Sequence, residues 1–270
     1  MRSAALLSAA ATLFGAAAAA ASLPGLTFPR APRVRGPEVF YSASDPSVWT
    51  VGRFAANADG SKSFDWENSN ININVANATY VTLLANSTGG AHGRFIAESD
   101  GWEVASFYVG GPAAATEFLV AADLSGTRHI RVTSTLEPAF MGAGPAAFLT
   151  FIGFKTDGVA LPATPRARRI ELVGDSISAG YGSRGFANTP FGCPVDENTS
   201  GNKYTYNWML AQAFDADISP IAWSGKGMYE NCCDSGIKMP SLYLQTFGGR
   251  SYTTDYDFAW VPGAFNFSQF

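Results

Sequence analysis

The sequence predicts a β-sandwich followed by an α/β unit, and three observations carry this prediction. Between residues 34 and 158, short strands alternate with turns and no convincing helix appears, which is typical of a jelly-roll β-sandwich. A proline-containing segment at 159–168 then interrupts the pattern. From residue 169 onward a strand, a loop, a helix and a second strand follow in order, as at the start of an α/β fold with a parallel sheet.

Composition excludes several classes of function. The chain has 270 residues, a formal net charge of −4 and 47% hydrophobic residues, which suits one large or two medium domains and disfavours disorder. Its 18 lysines and arginines form no long run, so no nucleic-acid partner is expected. Two histidines and three cysteines are too few for most metal sites built from those residues, and nothing in the sequence requires a metal or an organic cofactor.

The N-terminus is predicted to be a secretory signal peptide covering residues 1–21. A basic start is followed by an alanine-rich apolar run and by small residues before Ser22. A transmembrane anchor is the alternative, but the run is only marginally long enough and is mostly alanine. Four Asn-x-Ser/Thr sequons, at Asn77, Asn86, Asn198 and Asn266, agree with secretion. We therefore expect a secreted, extracellular protein with no membrane association after cleavage.

The three cysteines are Cys193, Cys232 and Cys233. In an oxidising compartment Cys193 is expected to pair with one of the other two, because adjacent cysteines rarely pair with each other. Which of the two it takes is left open, and one thiol remains over.

The sandwich strands follow from alternation and from the turns between them. Residues 71–75 alternate strictly between apolar and polar side chains, as a half-buried strand does. Glycine-, asparagine- and serine-containing turns separate the further candidates. These candidates are 80–84, 104–109, 117–120, 129–136 and 148–154.

After the sandwich, residues 159–168 are interpreted as a linker, because Pro162 and Pro165 discourage both helix and ladder pairing. Residues 170–173 form a compact strand, a loop occupies 182–202, and a helix is predicted over 204–214. A second strand at 218–224 is weakened by its proline and turns at residue 225. The predicted buried face of the helix consists of Tyr206, Leu210, Ala213 and Phe214.

The tripeptide Gly174-Asp175-Ser176 directly follows the first of these strands. Such a tripeptide arises by chance in roughly one in fifteen chains of this length, so a simple turn in which Ser176 caps the next helix is one interpretation. The other is functional, because a serine at the carboxyl end of a parallel strand lies where open α/β sheets bind ligands. Backbone N–H groups at such a position can stabilise an oxyanion.

The segment Ile170-Glu171-Leu172-Val173-Gly174-Asp175-Ser176-Ile177-Ser178-Ala179-Gly180-Tyr181-Gly182 resembles the first block of the GDSL/SGNH hydrolases. The order of sandwich, linker and block is similar to that of family 2 carbohydrate esterases, and Ser224-Gly225-Lys226-Gly227 resembles their second block. The resemblance spans roughly Val34 to Phe270. It implies a partial three-layer SGNH domain over 169–270 and deacetylation of an acetylated plant cell-wall polysaccharide or oligosaccharide such as xylan or mannan.

The resemblance also implies roles for individual residues. Ser176 is the implied nucleophile, and the backbone N–H groups of Ser176 and Gly225 are two implied oxyanion donors. Gly227 is the alternative donor, and Asp175 has an implied structural role as a turn residue. The implied base, a histidine three residues after an aspartate, and the implied donor asparagine of a Gly-x-Asn-Asp block are both absent from the sequence.

The two histidines, His92 and His129, both lie in the predicted sandwich, where ordinary structural roles are expected. An activated serine needs a base, so this chain is predicted to be a truncated form of a longer esterase and a very poor catalyst as written. The competing hypothesis is a non-catalytic glycan-binding module or an inactive remnant, and a lipase-like esterase is a third. Four tryptophans that could stack on sugars are first interpreted as packing residues: Trp102, Trp208, Trp223 and Trp260.

Overall fold

The structure is a computed structural model, and it describes residues 36–110, 114–141, 147–185 and 195–249. Two six-stranded antiparallel sheets make up its first part. The strands are Val39–Ser42 (β1), Val48–Val51 (β2), Ala55–Ala56 (β3), Lys62–Phe64 (β4), Asn70–Ala76 (β5), Tyr80–Thr88 (β6), His92–Ser99 (β7), Trp102–Gly110 (β8), Thr116–Ala122 (β9), Thr127–Ser134 (β10), Phe148–Thr156 (β11) and Val159–Leu161 (β12). One sheet has the order β3-β4-β11-β6-β9 with β1 beside β11, and the other has the order β12-β5-β10-β7-β8 with β2 beside β5.

The second part contains one parallel pair of strands and short helices. The elements are Arg168–Gly174 (β13), Ser176–Ala179 (α1), Tyr206–Ala213 (α2), Ala216–Ala222 (β14) and Met239–Tyr243 (α3), with a 3₁₀ turn at Asn202–Tyr204. In the parallel pair, Arg168 lies opposite Ala216 and Gly174 lies opposite Ala222. Within the described ranges β13 pairs with β14 alone. None of the helices in those ranges has the length and apolar character needed to cross a bilayer.

Strand β5 shows how the sequence pattern builds the core. Ile71, Ile73 and Val75 are fully buried in the hydrophobic core of the two sheets. Asn70 and Asn72 on the opposite face are also almost inaccessible, although alternation predicts a half-buried strand. The expected exposure was wrong because the remainder of the chain covers this outer face.

The predicted linker at 159–168 differs from the structure at its beginning. Val159–Leu161 pairs with β5 and extends the second sheet. Pro162 follows the last paired residue, so its missing N–H costs no ladder hydrogen bond. The prolines therefore limit pairing only after residue 161.

The predicted buried face of α2 is wrong. Tyr206 and Phe214 are 44% and 52% exposed, whereas Asn207 and Ala211 are buried. Asn207 is buried because its Nδ2 donates to the carbonyl of Ser178, 2.6 Å away, which fixes the helix against α1. A polar anchor therefore sets the rotation of this helix, and hydrophobic periodicity does not report it.

Pro220 lies inside β14 without breaking the ladder. The carbonyl of Ile218 accepts from Asn68 Nδ2 at 2.9 Å, and the N–H of Ala222 donates to Glu67 Oε1 at 3.1 Å. Since backbone groups two residues apart point to the same side, the nitrogen of Pro220 also faces the sandwich and away from β13. This explains why a proline is tolerated in the strand.

Candidate active site

Ser176 is the first residue of α1, immediately beyond the end of β13. Asp175, and not Ser176, is the N-cap, and its Oδ1 accepts from the N–H of Ile177 at 3.1 Å. The interpretation of Ser176 as a capping residue is therefore wrong, while Asp175 has the turn-forming role expected of it. Gly174 is required here, because a Cβ at this position would lie 2.0 Å from Ser178 Oγ.

Buried amides hold α1 in place. Asn202 and Asn207 each donate from Nδ2 to the carbonyl of Ser178 at 2.6 Å. The hydroxyl of Ser178 is 2.7 Å from that of Tyr206. These contacts fix the backbone that carries Ser176 and its partly exposed side chain.

The loop after β14 begins at the same edge of the parallel pair. Gly174 and Ala222 are opposite each other, so Ser176 and Gly225 follow the paired strands within two or three residues. Gly225 has φ of +83°, a conformation that strongly favours glycine. The N–H of Gly227 donates to Asn231 Oδ1 at 3.1 Å, whereas that of Gly225 donates no hydrogen bond within the described ranges. Of the two alternatives, Gly225 is therefore the one whose N–H is left available to a ligand.

Glu137 fixes the loop that carries Gly225. Its two carboxylate oxygens accept from the N–H and the hydroxyl of Ser224, each at 2.5 Å. Glu137 lies after β10 in the sandwich and is 2% exposed. The sandwich thus positions a residue next to the proposed oxyanion donor, a contact that the sequence did not predict.

The disulfide prediction is corrected by the structure, because Cys232 and Cys233 are bonded to each other. Cys193, the expected partner, lies outside the described residues. The N–H of Cys232 donates to the carbonyl of Gly225 at 3.0 Å, so the bonded pair packs against the second loop. Adjacent cysteines can pair here within a loop held by Asn231 and Asp234, whose side chains are 2.7 Å apart.

Two carboxyl groups at the interface between the sandwich and β14 have raised pKa values. Burial raises the pKa of Glu67 well above its ordinary value, and the nearby charge of Glu137 adds to the effect. Burial also raises the pKa of Glu137, although its hydrogen bonds with Ser224 oppose this. Glu67 Oε2 has no hydrogen-bond partner among the described groups.

The variant Glu67→Gln is expected to raise the melting temperature more at pH 8 than at pH 5. A carboxyl whose folded-state pKa is raised binds its proton more tightly when folded, so its contribution to stability is present at low pH and is lost as pH rises. Glutamine resembles the protonated form and keeps the acceptor for Ala222. Thermal unfolding of both proteins across pH 5–8 measures this, and a difference that shrinks towards pH 8 contradicts it.

Neither histidine contacts Ser176. His92 Nε2 is 2.7 Å from Glu197 Oε2, and His129 Nε2 is 3.1 Å from Asn72 Oδ1. The ring of His129 also stacks on Trp49, with centroids 5.3 Å apart. Burial lowers the pKa of His129 to about 4. Among the described residues, no histidine or carboxylate is hydrogen-bonded to the Ser176 hydroxyl.

Comparison with known proteins first finds relatives that are carbohydrate esterases. No protein-family model matches the chain. The chain is similar to the cellulase/esterase CelE of Acetivibrio thermocellus, with 28% identity over 189 residues, covering 69% of this chain and 22% of that protein. It is also similar to an acetylxylan esterase / glucomannan deacetylase of Cellvibrio japonicus, with 24% identity over 220 residues, covering 80% of this chain and 58% of that protein.

The fold is similar to that of solved family two carbohydrate esterases. A family two carbohydrate esterase from Clostridium thermocellum, solved with cellohexaose, matches with a TM-score of 0.68 and 23% identity, covering 83% of this chain and 62% of that one. The predicted resemblance to family 2 carbohydrate esterases is thereby confirmed. The chain spans less than two thirds of the length of each of these relatives.

Proposed function

We propose that the gene product containing this chain is a secreted carbohydrate O-deacetylase that uses Ser176 as its nucleophile. Its substrates are acetyl esters on a plant cell-wall polysaccharide such as xylan or mannan. The observation that carries the proposal is the placement of Ser176 and Gly225 beyond adjacent ends of β13 and β14. The relatives named as acetylxylan esterase and glucomannan deacetylase support the choice of substrate class.

In the proposed reaction, Ser176 Oγ attacks the acetyl carbonyl carbon while a base takes the hydroxyl proton. The backbone N–H groups of Ser176 and Gly225 stabilise the negative charge that develops on the carbonyl oxygen. The sugar oxygen leaves with the proton from the base, and water then releases acetate from the acyl-enzyme. Glu137 acts indirectly, because it holds Ser224 beside the second donor.

The described residues do not supply the base that would take the proton from the Ser176 hydroxyl. His92 and His129 are bound to Glu197 and Asn72, and the 270 residues contain no other histidine. We assign the base to a histidine of the kind that the family resemblance implies, in a longer form of the gene product. The third oxyanion donor, an asparagine, is assigned in the same way.

The experiment begins with the mature transcript, which is sequenced through and beyond the codon for Phe270. The encoded product is then expressed, treated with a fluorophosphonate probe and mapped by peptide mass spectrometry, while acetate release is measured from acetylated xylan and acetylated glucomannan. We expect the longer product to be labelled at Ser176 and to release acetate. The 270-residue chain is the matched control and is expected to remain unlabelled. A longer product that is labelled elsewhere, or that releases no acetate, overturns the proposal.

The second candidate is a non-catalytic glycan-binding protein. The observation that favours it is the distance of both histidines from the Ser176 hydroxyl, as their contacts with Glu197 and Asn72 indicate. A mature transcript with a stop codon directly after Phe270 favours this candidate. Binding to insoluble xylan or mannan without acetate release is then the expected result.

A further inference from the structure

A cleft of about 590 Å³ lies far from Ser176, between the outer face of the second sheet and the α/β part. Its sandwich wall includes Trp49, Asn72, His129 and Arg131. Helix α2 supplies Trp208 and Gln212, and the cleft also reaches the beginnings of β13 and β14. The feature is therefore formed by both parts of the chain together.

The cleft lies at the opposite end of β13 from the candidate active site. Arg166 lines the cleft and precedes β13, whereas Ser176 follows its other end. A strand rises about 3.3 Å per residue, so the seven residues of β13 separate the two regions by roughly 20 Å. A ligand in the cleft is consequently not in contact with Ser176.

Flat, half-buried side chains form two of its surfaces. Trp49 and His129 stack nearly parallel, with an interplanar angle of 11° and centroids 5.3 Å apart. The guanidinium of Arg131 and the ammonium of Lys203 lie over the Trp208 ring, with Cζ and Nζ 4.4 Å and 5.3 Å from its centroid. An aromatic face that remains open to the cleft can pack against the apolar C–H face of a pyranose ring, a general feature of sugar chemistry.

The polar groups of the cleft are already held in fixed positions. Asn72 Oδ1 accepts from His129 Nε2 and its Nδ2 donates to Asn70 Oδ1 at 2.8 Å. Arg131 Nε donates to Glu98 Oε2 at 2.7 Å. A binding wall whose side chains are ordered beforehand loses less entropy on binding, which favours affinity for a weakly held ligand.

The charges that face the cleft are paired. Arg131 is bound to Glu98, and Arg166 Nε is 3.2 Å from Asp215 Oδ1. Asp217 Oδ2 accepts from the backbone N–H of Arg166 at 3.2 Å. Asp100 is paired with Arg128 and also accepts from the N–H of His129. The imidazole of His129 is neutral at physiological pH, so the cleft has no excess of positive or negative charge. This favours an uncharged ligand over an acidic one.

We propose that this cleft is a non-catalytic binding site for a short stretch of neutral polysaccharide, with Trp49 and Trp208 as its stacking platforms. Binding here tethers the protein to a polymer while leaving Ser176 free to act on acetyl groups elsewhere. The proposal does not depend on catalysis, because binding is expected whether or not the gene product hydrolyses esters.

Titration calorimetry of the full chain with cellohexaose, xylohexaose and mannohexaose tests the site, with an oligogalacturonide as the acidic comparison. We expect at least one neutral hexasaccharide to bind and the acidic oligosaccharide not to bind. Trp49→Ala and Trp208→Ala are each expected to weaken binding at least tenfold. Gln212→Trp, at an exposed position on α2, is expected to block the cleft without disturbing the fold, and circular dichroism verifies folding of every variant.

Two variants serve as controls. Trp102 is 79% exposed on the neighbouring hairpin but does not line the cleft, so Trp102→Ala is expected to change affinity less than twofold. Ser176→Ala is likewise expected to leave affinity unchanged. The proposal is overturned if no neutral hexasaccharide binds, if only Trp102→Ala or Ser176→Ala reduces binding, or if the acidic oligosaccharide binds more tightly.

Discussion

Replacing Ser176 by alanine should lower acetate release by the longer gene product by at least about a thousandfold. The nucleophile and its base act as a unit, and loss of the serine in a serine hydrolase costs on the order of a million-fold in turnover. The remaining rate comes from the oxyanion donors and from substrate binding, which the substitution leaves in place. Initial rates on acetylated xylan measure the effect, and substrate affinity should change little.

Ser183→Ala is the matched control for this experiment. Ser183 lies in the connection that follows α1, and its hydroxyl donates to the carbonyl of Gly201 at 2.8 Å. We expect this variant to retain most of its activity. More than a tenth of the original rate in Ser176→Ala, with folding unchanged, would assign the chemistry to another residue.

Replacing Arg53 by methionine should lower the free energy of unfolding by about 3–5 kcal/mol, because the change leaves a buried charge without its partner. The side chain of Arg53 is fully buried and its Nη2 is 2.8 Å from Glu171 Oε1 on β13. Its Nη1 donates to the carbonyls of Tyr243 and Gln245, and the guanidinium lies over the Tyr243 ring. One side chain of the sandwich thus joins β13 and the end of α3.

Denaturant unfolding of the full chain measures this loss, and the melting temperature is expected to fall by roughly 6–20 °C. Arg128→Met is the matched control, because Arg128 forms an ion pair with Asp100 at 3.2 Å in which both side chains are at least 40% exposed. An exposed pair contributes less than about 1 kcal/mol. Equal effects of the two substitutions would contradict the structural role assigned to Arg53.

Local patterns predicted the strands because the alternation or run of apolar residues within a strand depends on which of its faces are buried. Alternation at 71–75 located β5, and the apolar run at 148–154 located β11. The strand β12 was missed, since three residues between turn residues carry too little periodicity. The predicted buried face of α2 was also wrong. The rotation of this helix is set by the hydrogen bond between Asn207 and the carbonyl of Ser178, and these residues are 29 positions apart in the sequence.

The same distinction between local patterns and contacts distant in sequence applies to the candidate site. Ser176 and Gly225 could be predicted because each directly follows a strand and belongs to a short motif. The contact between Glu137 and Ser224 could not, because it joins residues 87 positions apart across two parts of the fold. The cleft with Trp49 and Trp208 was hidden for the same reason, and the default interpretation of Trp208 as a packing residue did not consider its partly open face.

The side chains that face β14 have a consequence for how this protein can be divided. Asn68 and Glu67 bind the carbonyl of Ile218 and the N–H of Ala222, and so occupy the places that a neighbouring strand would take. The sandwich thus supplies hydrogen-bond partners to β14 in the way that a further strand of the sheet would. Exchanging the sandwich for another domain would remove these hydrogen-bond partners from β14, so the two parts are expected to be transferable to another protein only together.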